Sequence, residues 1–203
     1  MILSDRDIKK ALASGRISVD PLFENAIQPA SVDLHMDKKF LVFNRKGHTC
    51  IDLRKPVENL MEKVEIGDDE YFVIHPGEFV LGNIFETTGV GNDIVGRLEG
   101  KSSLGRIGLI IHATAGFLDP GNSLKMTLEL SNVGSLPIKL YYKMPIAQMA
   151  FEPLSSPAEF AYGDKHLHSK YYGDTEPKAS QMSKNFGIAD IIVGDKIRSE
   201  SKK

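Results

Sequence analysis

Residues 126–151, MTLELSNVGSLPIKLYYKMPIAQMAF, decide the fold class, because three short segments of this stretch are typical of β-strands. The segments run over 126–132, 137–142 and 145–151, and Pro, Gly and Asn residues separate them. In the first segment apolar and polar residues alternate, as expected for a strand with one buried face. The apolar face holds Met126, Leu128 and Leu130, and the polar face holds Thr127, Glu129 and Ser131.

Further β-type segments precede this stretch. Runs over 93–98 and 107–113 have the same character, and 71–85 predicts a strand, a Pro-Gly turn and a second strand. Residues 40–43, FLVF, and an alternating run that begins at Val32 extend the pattern towards the N-terminus. Many short strands without intervening helices predict an all-β sandwich, barrel or jelly roll rather than βαβ units.

Two segments in the first third of the chain favour helical structure. Residues 4–15 favour a short amphipathic helix, with Ser4 and Asp7 as a capping box and Gly15 as its stop. Residues 56–64 favour a helical turn.

The composition of the chain changes at about residue 155. We expect a β domain over 1–154, an extended arm over 155–186 and a charged, flexible tail over 187–203. Disorder of the whole region after 155 is the alternative. The aromatic residues of the arm favour order against another surface: Tyr162, Tyr171, Tyr172 and Phe186.

The composition limits the class of function. The net charge is −2 and the pI is about 6.3, which argues against a nucleic-acid-binding surface. No apolar run is long enough to span a membrane, and the first residues do not resemble a secretory signal. The single cysteine, Cys50, excludes an internal disulfide and agrees with a cytoplasmic location; we expect it to be a small buried thiol.

Several catalytic motifs are missing from the sequence. The HxE…PCxxC signature of zinc nucleobase deaminases, HExxH, GxxxxGK[ST] and GxSxG do not occur. His166 and His168 are spaced as a pair in a predicted loop, where solvated histidines and a metal-binding pair are the two interpretations. We expect no zinc site.

Two other segments carry groups suited to binding a phosphorylated ligand. In KSSLGR, 101–106, two cations, two hydroxyls and a Gly can bind phosphates, and Ser102 or Ser103 could cap a short helix there; a solvated helix start is the alternative. In TAGFLDPG, 114–121, Asp119 is a natural turn carboxylate, and Gly116 allows a close approach to the backbone. Phe117 could stack on a ring or fill the core. Glu129 would be a proton shuttle only if its face lines a pocket.

Taken together, KSSLGRIGL (101–109), HATAGFLDPG (112–121), TLELSN (127–132) and PIAQM (145–149) resemble the dCTP deaminase family of the dUTPase-like superfamily in order and spacing. LSDRDI near the N-terminus, HPGEFVLG and the arm also fit, so the resemblance covers about residues 1–186. It implies a distorted jelly roll or β-barrel and a homotrimer. It also implies active sites between subunits, an arm that closes over the nucleotide, Mg²⁺ bound through the triphosphate, and no zinc.

The resemblance also implies residue roles. Glu129 would be the general acid/base, Ser102 and Arg106 would position the water, and the backbone at Ala115 would help to bind it. Asp119 would lie under the 3′-hydroxyl of the deoxyribose. The phosphate-contacting residues would be Lys101, Ser102, Ser103, Leu104, Gly105, Arg106, Gln148, Tyr162 and Lys170, and the base would face Thr127, Leu128 and Glu129. Related chains often carry Gln at 174, and Asp174 would repel a triphosphate there.

The turn after Thr114 bears on the product. Family members that stop at dUTP look like TAHR at this turn, whereas those that continue to dUMP look like TAGF or TAGW. Gly116 and Phe117 therefore predict conversion of dCTP to dUMP, which is a precursor of dTMP. The small Gly116 would leave space for a second water, and Asp119 would orient that water. The alternatives are release of dUTP, a nucleotide-sensing trimer without turnover and, fitting less well, a plain dUTPase. Beyond dCTP, dUTP and dTTP are candidate ligands.

Overall fold

The structure is a computed structural model that describes residues 1–44, 46–114 and 116–186. The predicted flexible tail, 187–203, and the water-binding backbone expected at Ala115 lie outside the described residues. Within them, β-strands dominate, so the predicted all-β class is confirmed. The helices are α1 (Asp5–Ala13) and α2 (Ser102–Gly105), with single 3₁₀ turns at Glu58–Leu60 and Met182–Asn185.

Fifteen strands are present in the described part of the chain. In chain order they are β1 (Ile17–Asp20), β2 (Ile27–Gln28), β3 (Ser31–His35), β4 (Lys39–Phe43), β5 (Met61–Glu65), β6 (Tyr71–Ile74), β7 (Phe79–Asn83), β8 (Thr87–Val90), β9 (Ile94–Gly100), β10 (Leu109–Ile110), β11 (Phe117–Leu118), β12 (Ser123–Leu124), β13 (Thr127–Asn132), β14 (Ile138–Tyr141) and β15 (Pro145–Pro153).

Two five-stranded antiparallel sheets carry most of these strands. Their strand orders are β10-β13-β7-β4-β5 and β11-β9-β15-β3-β2. A three-stranded sheet, β1-β8-β12, and the pair β14-β6 complete the domain. Most neighbours in a sheet are distant in the sequence, as in a jelly roll and unlike a simple meander of hairpins.

The core lies between the inner faces of these sheets. Leu128 and Leu130 of β13 are buried and have no exposed surface. Met126, which lies just before this strand, is also buried. The alternation predicted for this segment is therefore confirmed, and it leaves Glu129 half-buried on the opposite face. Burial of each leucine side chain contributes about 1.5–3 kcal/mol, which fixes the register of β13 and hence the direction of Glu129.

The N-terminal helix forms as predicted, but its cap differs. Ser4 is the N-cap residue, yet its hydroxyl donates to the Asp7 carboxylate at 3.1 Å and accepts no hydrogen bond from a backbone N–H of the helix. The reciprocal capping box is therefore wrong in detail. Gly15, with φ of +72°, ends the helix in the left-handed region as expected.

Three other sequence-based expectations need correction. Of residues 56–64 only Glu58–Leu60 is helical, because the residues from Met61 onwards pair with β4. The strand predicted over 107–113 shrinks to the two residues of β10. Cys50, predicted to be buried, is exposed, because the loop after β4 leaves the sheet before reaching it. Among the described residues, no helix has the length and apolar character needed to cross a membrane.

Candidate active site

The carboxylate of Glu129 is held by the turn that follows β10. Its Oε2 accepts a hydrogen bond from the backbone N–H of Ala113 at 2.9 Å. The hydroxyl of Thr114 lies 3.0 Å from Oε1 and 3.1 Å from Oε2. The N–H of Glu129 also donates to the carbonyl of Ile111 at 3.0 Å, so turn and strand are joined through both backbone and side chain.

This arrangement leaves the carboxylate usable. A carboxylate has about four lone-pair sites, and two donors do not occupy them all. Glu129 is half-buried and both Ala113 and Thr114 are exposed, so a polar ligand can reach the group from solvent. A fixed, partly desolvated carboxylate with free acceptor positions can take a proton from water and return it.

Asp119 lies in a second part of the molecule, in the turn after β11. Its carbonyl accepts from the N–H of Asn122 at 3.0 Å, and Gly121 has φ of +81°, so the predicted turn is confirmed. Burial raises the pKa of its half-buried carboxyl. The N–H of Tyr162 donates to the carbonyl of Pro120 at 2.8 Å, which brings the arm against this turn.

An open groove of about 510 Å³ connects Asp119 with the arm. Its lining is rich in groups that can bind phosphate and consists of Asp119, Tyr162, His166, Leu167, His168, Ser169, Lys170 and Tyr171. Three residues predicted to contact the nucleotide, Asp119, Tyr162 and Lys170, thus share one surface. The arm, which was expected to order against another surface, packs on the β domain of its own chain.

A larger groove lies elsewhere on the molecule. It has a volume of about 1230 Å³ and is lined mainly by β4, β6, β7 and the loop that holds Cys50. None of the residues predicted for the site lines it. We therefore place the candidate site at the smaller groove and at Glu129, where the chemically suited side chains lie.

Gly116 packs closely on β9. A Cβ atom at this position would lie 2.6 Å from the carbonyl oxygen of Leu98, and the N–H of Leu98 donates to the carbonyl of Gly116 at 2.7 Å. The close approach predicted for this glycine is confirmed. On the side to which a Cβ would point, β9 fills the space next to Gly116, and the room for a second water near the α-phosphate stays a prediction. The ring of Phe117 is 51% exposed and lies 5.6 Å from the Arg97 guanidinium carbon, so it does not fill the core.

The KSSLGR segment forms α2, which follows β9 directly. The N-cap residue is Lys101, so the expectation that Ser102 or Ser103 caps this helix is wrong. Both serines, Gly105 and Arg106 are exposed, and the half-buried Leu104 packs against the core. Exposed hydroxyl and guanidinium groups remain available to a phosphate or to a second copy of the chain.

Lys101 is anchored to the neighbouring sheet. Its Nζ lies 2.7 Å from Oδ1 of Asp33 on β3. Gln148 on β15 pairs with Asp33 through the backbone, and its side-chain oxygen accepts from the hydroxyl of Ser31 at 3.3 Å. Asp33 and Gln148, two polar residues within β-strands, thus have partners, and no pattern in the sequence indicates the Asp33–Lys101 pair.

The sequence model of the dCTP deaminase-like family matches residues 2–154. The chain belongs to this family. A Nocardia farcinica protein named "dCTP deaminase, dUMP-forming" is 52% identical over 193 residues, which cover 95% of this chain and 97% of that protein. A Leifsonia xyli protein of the same name is 48% identical over 201 residues, covering 99% of this chain and all of that protein.

A solved structure supports the fold of this dCTP deaminase-like chain. The 2′-deoxycytidine 5′-triphosphate deaminase from Agrobacterium tumefaciens superposes with a TM-score of 0.57 at 20% identity. The match covers 74% of this chain and 47% of that one. At this identity the likeness concerns the fold alone, and it agrees with the predicted all-β architecture.

In this dCTP deaminase-like chain the predicted site residues form separate groups. Glu129 and Thr127 lie on one face of β13, and the Asp119 groove lies between β11 and the arm. Ser102 and Arg106 lie on and next to α2, beyond β9. Within the described residues, no hydrogen bond or ion pair joins Glu129 to Ser102, Arg106 or Asp119.

Asp174 does not face the groove as a free anion. It is buried, its Oδ1 accepts from Nζ of Lys178 at 2.5 Å, and its carbonyl accepts from the N–H of Lys125 at 2.8 Å. Lys178 pairs with the Asp174 carboxylate in this structure, and the expected repulsion of a triphosphate stays a prediction. Neither Lys178 as the partner of Asp174 nor Thr114 as a partner of Glu129 was predicted from the sequence. The spacing of opposite charges at 174 and 178 is the one sequence signal that could have indicated Lys178.

The histidines of the arm are exposed. His166 Nδ1 lies 2.6 Å from Oδ1 of Asp164, and its ring packs against Phe160. In the part of the chain that the structure describes, no three His, Cys, Asp or Glu side chains are arranged to hold a metal ion. The exposure of His166 and His168 is what the interpretation of solvated loop histidines expects.

Proposed function

We propose that this protein is a dCTP deaminase that forms dUMP, with the balance dCTP + 2 H₂O → dUMP + diphosphate + NH₃. The observation that carries this proposal is the carboxylate of Glu129, held by Ala113 and Thr114 on the half-buried face of β13. The relatives named for this reaction align over almost the whole chain, which supports the choice of substrate and product.

The first step is hydrolytic deamination. Glu129 takes a proton from a water, and the resulting hydroxide attacks C4 of the cytosine ring. Glu129 passes this proton to N3, then takes the proton of the new C4 hydroxyl and gives it to N4. The C4–N4 bond then breaks, which releases ammonia and leaves the C4 carbonyl of the uracil ring. Thr127, two residues away on the same face, is placed to contact the base.

The second step is cleavage between the α- and β-phosphates. A second water attacks the α-phosphorus, diphosphate leaves, and dUMP remains. Asp119 would orient this water or the 3′-hydroxyl of the sugar, and Tyr162 and Lys170 would hold the phosphates in the groove. The fixed turn at Gly116 would determine where this water can lie.

Mg²⁺ fits this site as a companion of the substrate. The groove offers Asp119 as a single carboxylate, beside cationic and hydroxyl groups, so phosphate oxygens would supply most of the ligands. When bound, Mg²⁺ neutralises charge on the triphosphate.

A homotrimer would complete the site. Ser102 and Arg106 lie on an exposed segment and have no bond to Glu129 in their own chain, which fits a role at the Glu129 of a neighbouring copy. An Arg from that copy would favour the ionised form of the acid/base. The oligomeric state can be measured by light scattering, and a fully active monomer would contradict the proposed homotrimer.

The deciding experiment follows dCTP and Mg²⁺ by anion-exchange chromatography with an ammonia assay. We expect equal amounts of ammonia, dUMP and diphosphate, without accumulation of dUTP. Glu129→Gln should lower ammonia release by about 10²–10⁴-fold, the range of general acid–base catalysis. Glu159→Gln, which removes an exposed carboxylate of the arm, is the matched control.

Accumulation of dUTP would keep the role of Glu129 and identify a deaminase that stops after the first step. Ammonia release by neither the wild type nor the variant, with nucleotide binding retained in both, would instead indicate a nucleotide-sensing trimer. Equal ammonia release by wild type and Glu129→Gln would rule out the proposed acid/base.

A further inference from the structure

Residues 174–181 of the arm, which we call the strap, are docked on the β domain. The N–H of Lys125 donates to the carbonyl of Asp174 at 2.8 Å, and the N–H of Lys178 donates to the hydroxyl of Thr127 at 3.4 Å. Pro177 and Ala179 are buried. The strap therefore has contacts with the β domain on both sides of residue 176.

Glu176 connects the strap to two strands that lie beyond β13 in the sheet. Its carboxylate forms ion pairs with Lys39 of β4 and, at 2.7 Å, with Lys63 of β5. In the β4–β5 pair Lys39 lies opposite Glu65, so Lys39 and Lys63 are diagonal neighbours on one face. Two ammonium groups this close repel each other, and a carboxylate between them replaces the repulsion by two attractions.

The two lysines hold Glu176 in its charged form. Their hydrogen bonds lower the pKa of Glu176 to about 2, and Glu176 in turn raises the pKa of Lys39. The other two charges of the strap, Asp174 and Lys178, pair with each other. Glu176 is thus the acidic group that the strap offers to the β domain.

The strap is connected to both parts of the candidate site. Through Lys178 it contacts Thr127, which is two residues from Glu129 on the same face of β13. At its other end the N–H of Gln181 donates to the hydroxyl of Tyr171 at 2.9 Å. The N–H of Tyr171 donates to the hydroxyl of Tyr162 at 3.3 Å, and both tyrosines line the groove that contains Asp119.

We propose that Glu176 is a positioning residue whose ion pairs with Lys39 and Lys63 latch the strap onto β4 and β5. The latch holds Tyr162 and Lys170 in the groove before the nucleotide arrives. Its effect on turnover rests on the proposed function, whereas its effect on the arm does not. Glu176 acts through the arm and does not contact the reacting atoms.

The first test compares Glu176→Gln with Glu159→Gln, which removes the same charge from an exposed site of the arm that has no ion pair among the described residues. Glu176→Gln should raise the KM for dCTP about three- to ten-fold and change kcat less than two-fold, in keeping with two partly exposed ion pairs. Glu159→Gln should leave both constants unchanged. The KM ratio should fall towards 1 at about 0.5 M NaCl, because salt screens the pairs.

The second readout is hydrogen–deuterium exchange of the wild type and both variants without nucleotide. Residues 174–181 should exchange faster in Glu176→Gln than in the wild type, with no change in Glu159→Gln. In the double variant, Lys63→Gln with Glu176→Gln, residues 174–181 should exchange no faster than in Glu176→Gln alone. Glu176→Gln by itself already breaks the ion pair with Lys63.

The two proposals fail separately. If the wild type releases no ammonia, the proposed function is wrong, and the exchange experiment still tests the latch. If Glu176→Gln leaves both the KM and the exchange of the strap unchanged, the latch is wrong, whatever the reaction. A fall in kcat with an unchanged KM would also overturn it, because it would place Glu176 in the chemistry.

Discussion

The hydroxyl of Thr114 lies 3.0 Å from one carboxylate oxygen of Glu129 and 3.1 Å from the other. The N–H of Ala113 donates to the same carboxylate at 2.9 Å. Both donors belong to the turn after β10, whereas Glu129 belongs to β13. The direction of the proposed acid/base therefore depends on the conformation of this turn, and charge-assisted bonds of this kind are the stronger ones in proteins.

Thr114→Val removes the hydroxyl and keeps the shape of the side chain. We expect kcat for ammonia release to fall about ten-fold, because a hydrogen bond to a charged group contributes about 1.5–3 kcal/mol and this site is open to water. The KM for dCTP should change little. Thr114→Ser keeps the hydroxyl and should retain most of the activity. Equal kcat values for Thr114→Val and the wild type would show that the turn does not position Glu129.

Gly116→Ala tests whether the turn needs close packing. The new Cβ would lie 2.6 Å from the carbonyl oxygen of Leu98, so β9 or the turn must move. We expect a loss of stability of about 1–3 kcal/mol, as for other overpacked sites, and a lower ratio of dUMP to dUTP among the products. The measurements are the thermal midpoint and the chromatographic product ratio.

Gly105→Ala is the matched control for stability. A Cβ at Gly105 would meet nothing within 4 Å, and the residue lies in α2 without a positive φ. Its thermal midpoint should be unchanged or slightly higher, because alanine favours a helix more than glycine does. If both variants unfold at the same temperature as the wild type, the packing of Gly116 on Leu98 has no energetic consequence.

Several parts of this structure could be predicted because they rest on local patterns. The alternation around Glu129 predicts its strand and its place on the polar face, and Asp119 before Pro-Gly predicts its turn. Gly15 marks the end of α1 for the same kind of reason. In each case the residue itself restricts the backbone or the burial that it can adopt.

Other features arise only when distant segments meet. Asp33 and Lys101 form an ion pair although they are far apart in the sequence, and no sequence pattern joins them. Strands such as β11 have two residues and form only because β9 offers an edge for pairing. Cys50 is exposed because of the path of its loop. The contact of Glu176 with Lys39 and Lys63 likewise depends on the course of the arm over the sheet.

Asp119→Asn should stabilise the nucleotide-free protein at neutral pH. Burial raises the pKa of Asp119 in the folded state, so folding favours the protonated form. This contribution is present below the pKa of the unfolded chain and is lost as the pH rises through the folded-state pKa, where the charged carboxylate becomes a cost. We expect the thermal midpoint of the variant to exceed that of the wild type by about 1–3 °C at pH 7 and by less in acid.

The same substitution should weaken nucleotide binding. A neutral amide accepts a hydrogen bond from a sugar hydroxyl less strongly than a carboxylate does, so we expect the KM for dCTP to rise about ten-fold. Ser123→Ala, a nearby exposed position on β12, is the control and should change neither property. A less stable Asp119→Asn variant with an unchanged KM would contradict both expectations.

Glu176 should keep its charge throughout the pH range in which turnover would be measured. Lys39 and Lys63 lower the pKa of Glu176 from 4.5 to about 2. A lowered folded-state pKa gives a contribution that is fully present above the unfolded value and is lost only as the pH falls towards the folded value. The KM ratio of Glu176→Gln to wild type should therefore stay constant between about pH 8 and about pH 5.5. Parallel KM measurements across this range test the expectation. A ratio that falls towards 1 above about pH 5.5 would place the pKa of Glu176 above that of an ordinary Glu and would contradict the lowered pKa, because an ordinary Glu is still ionised there.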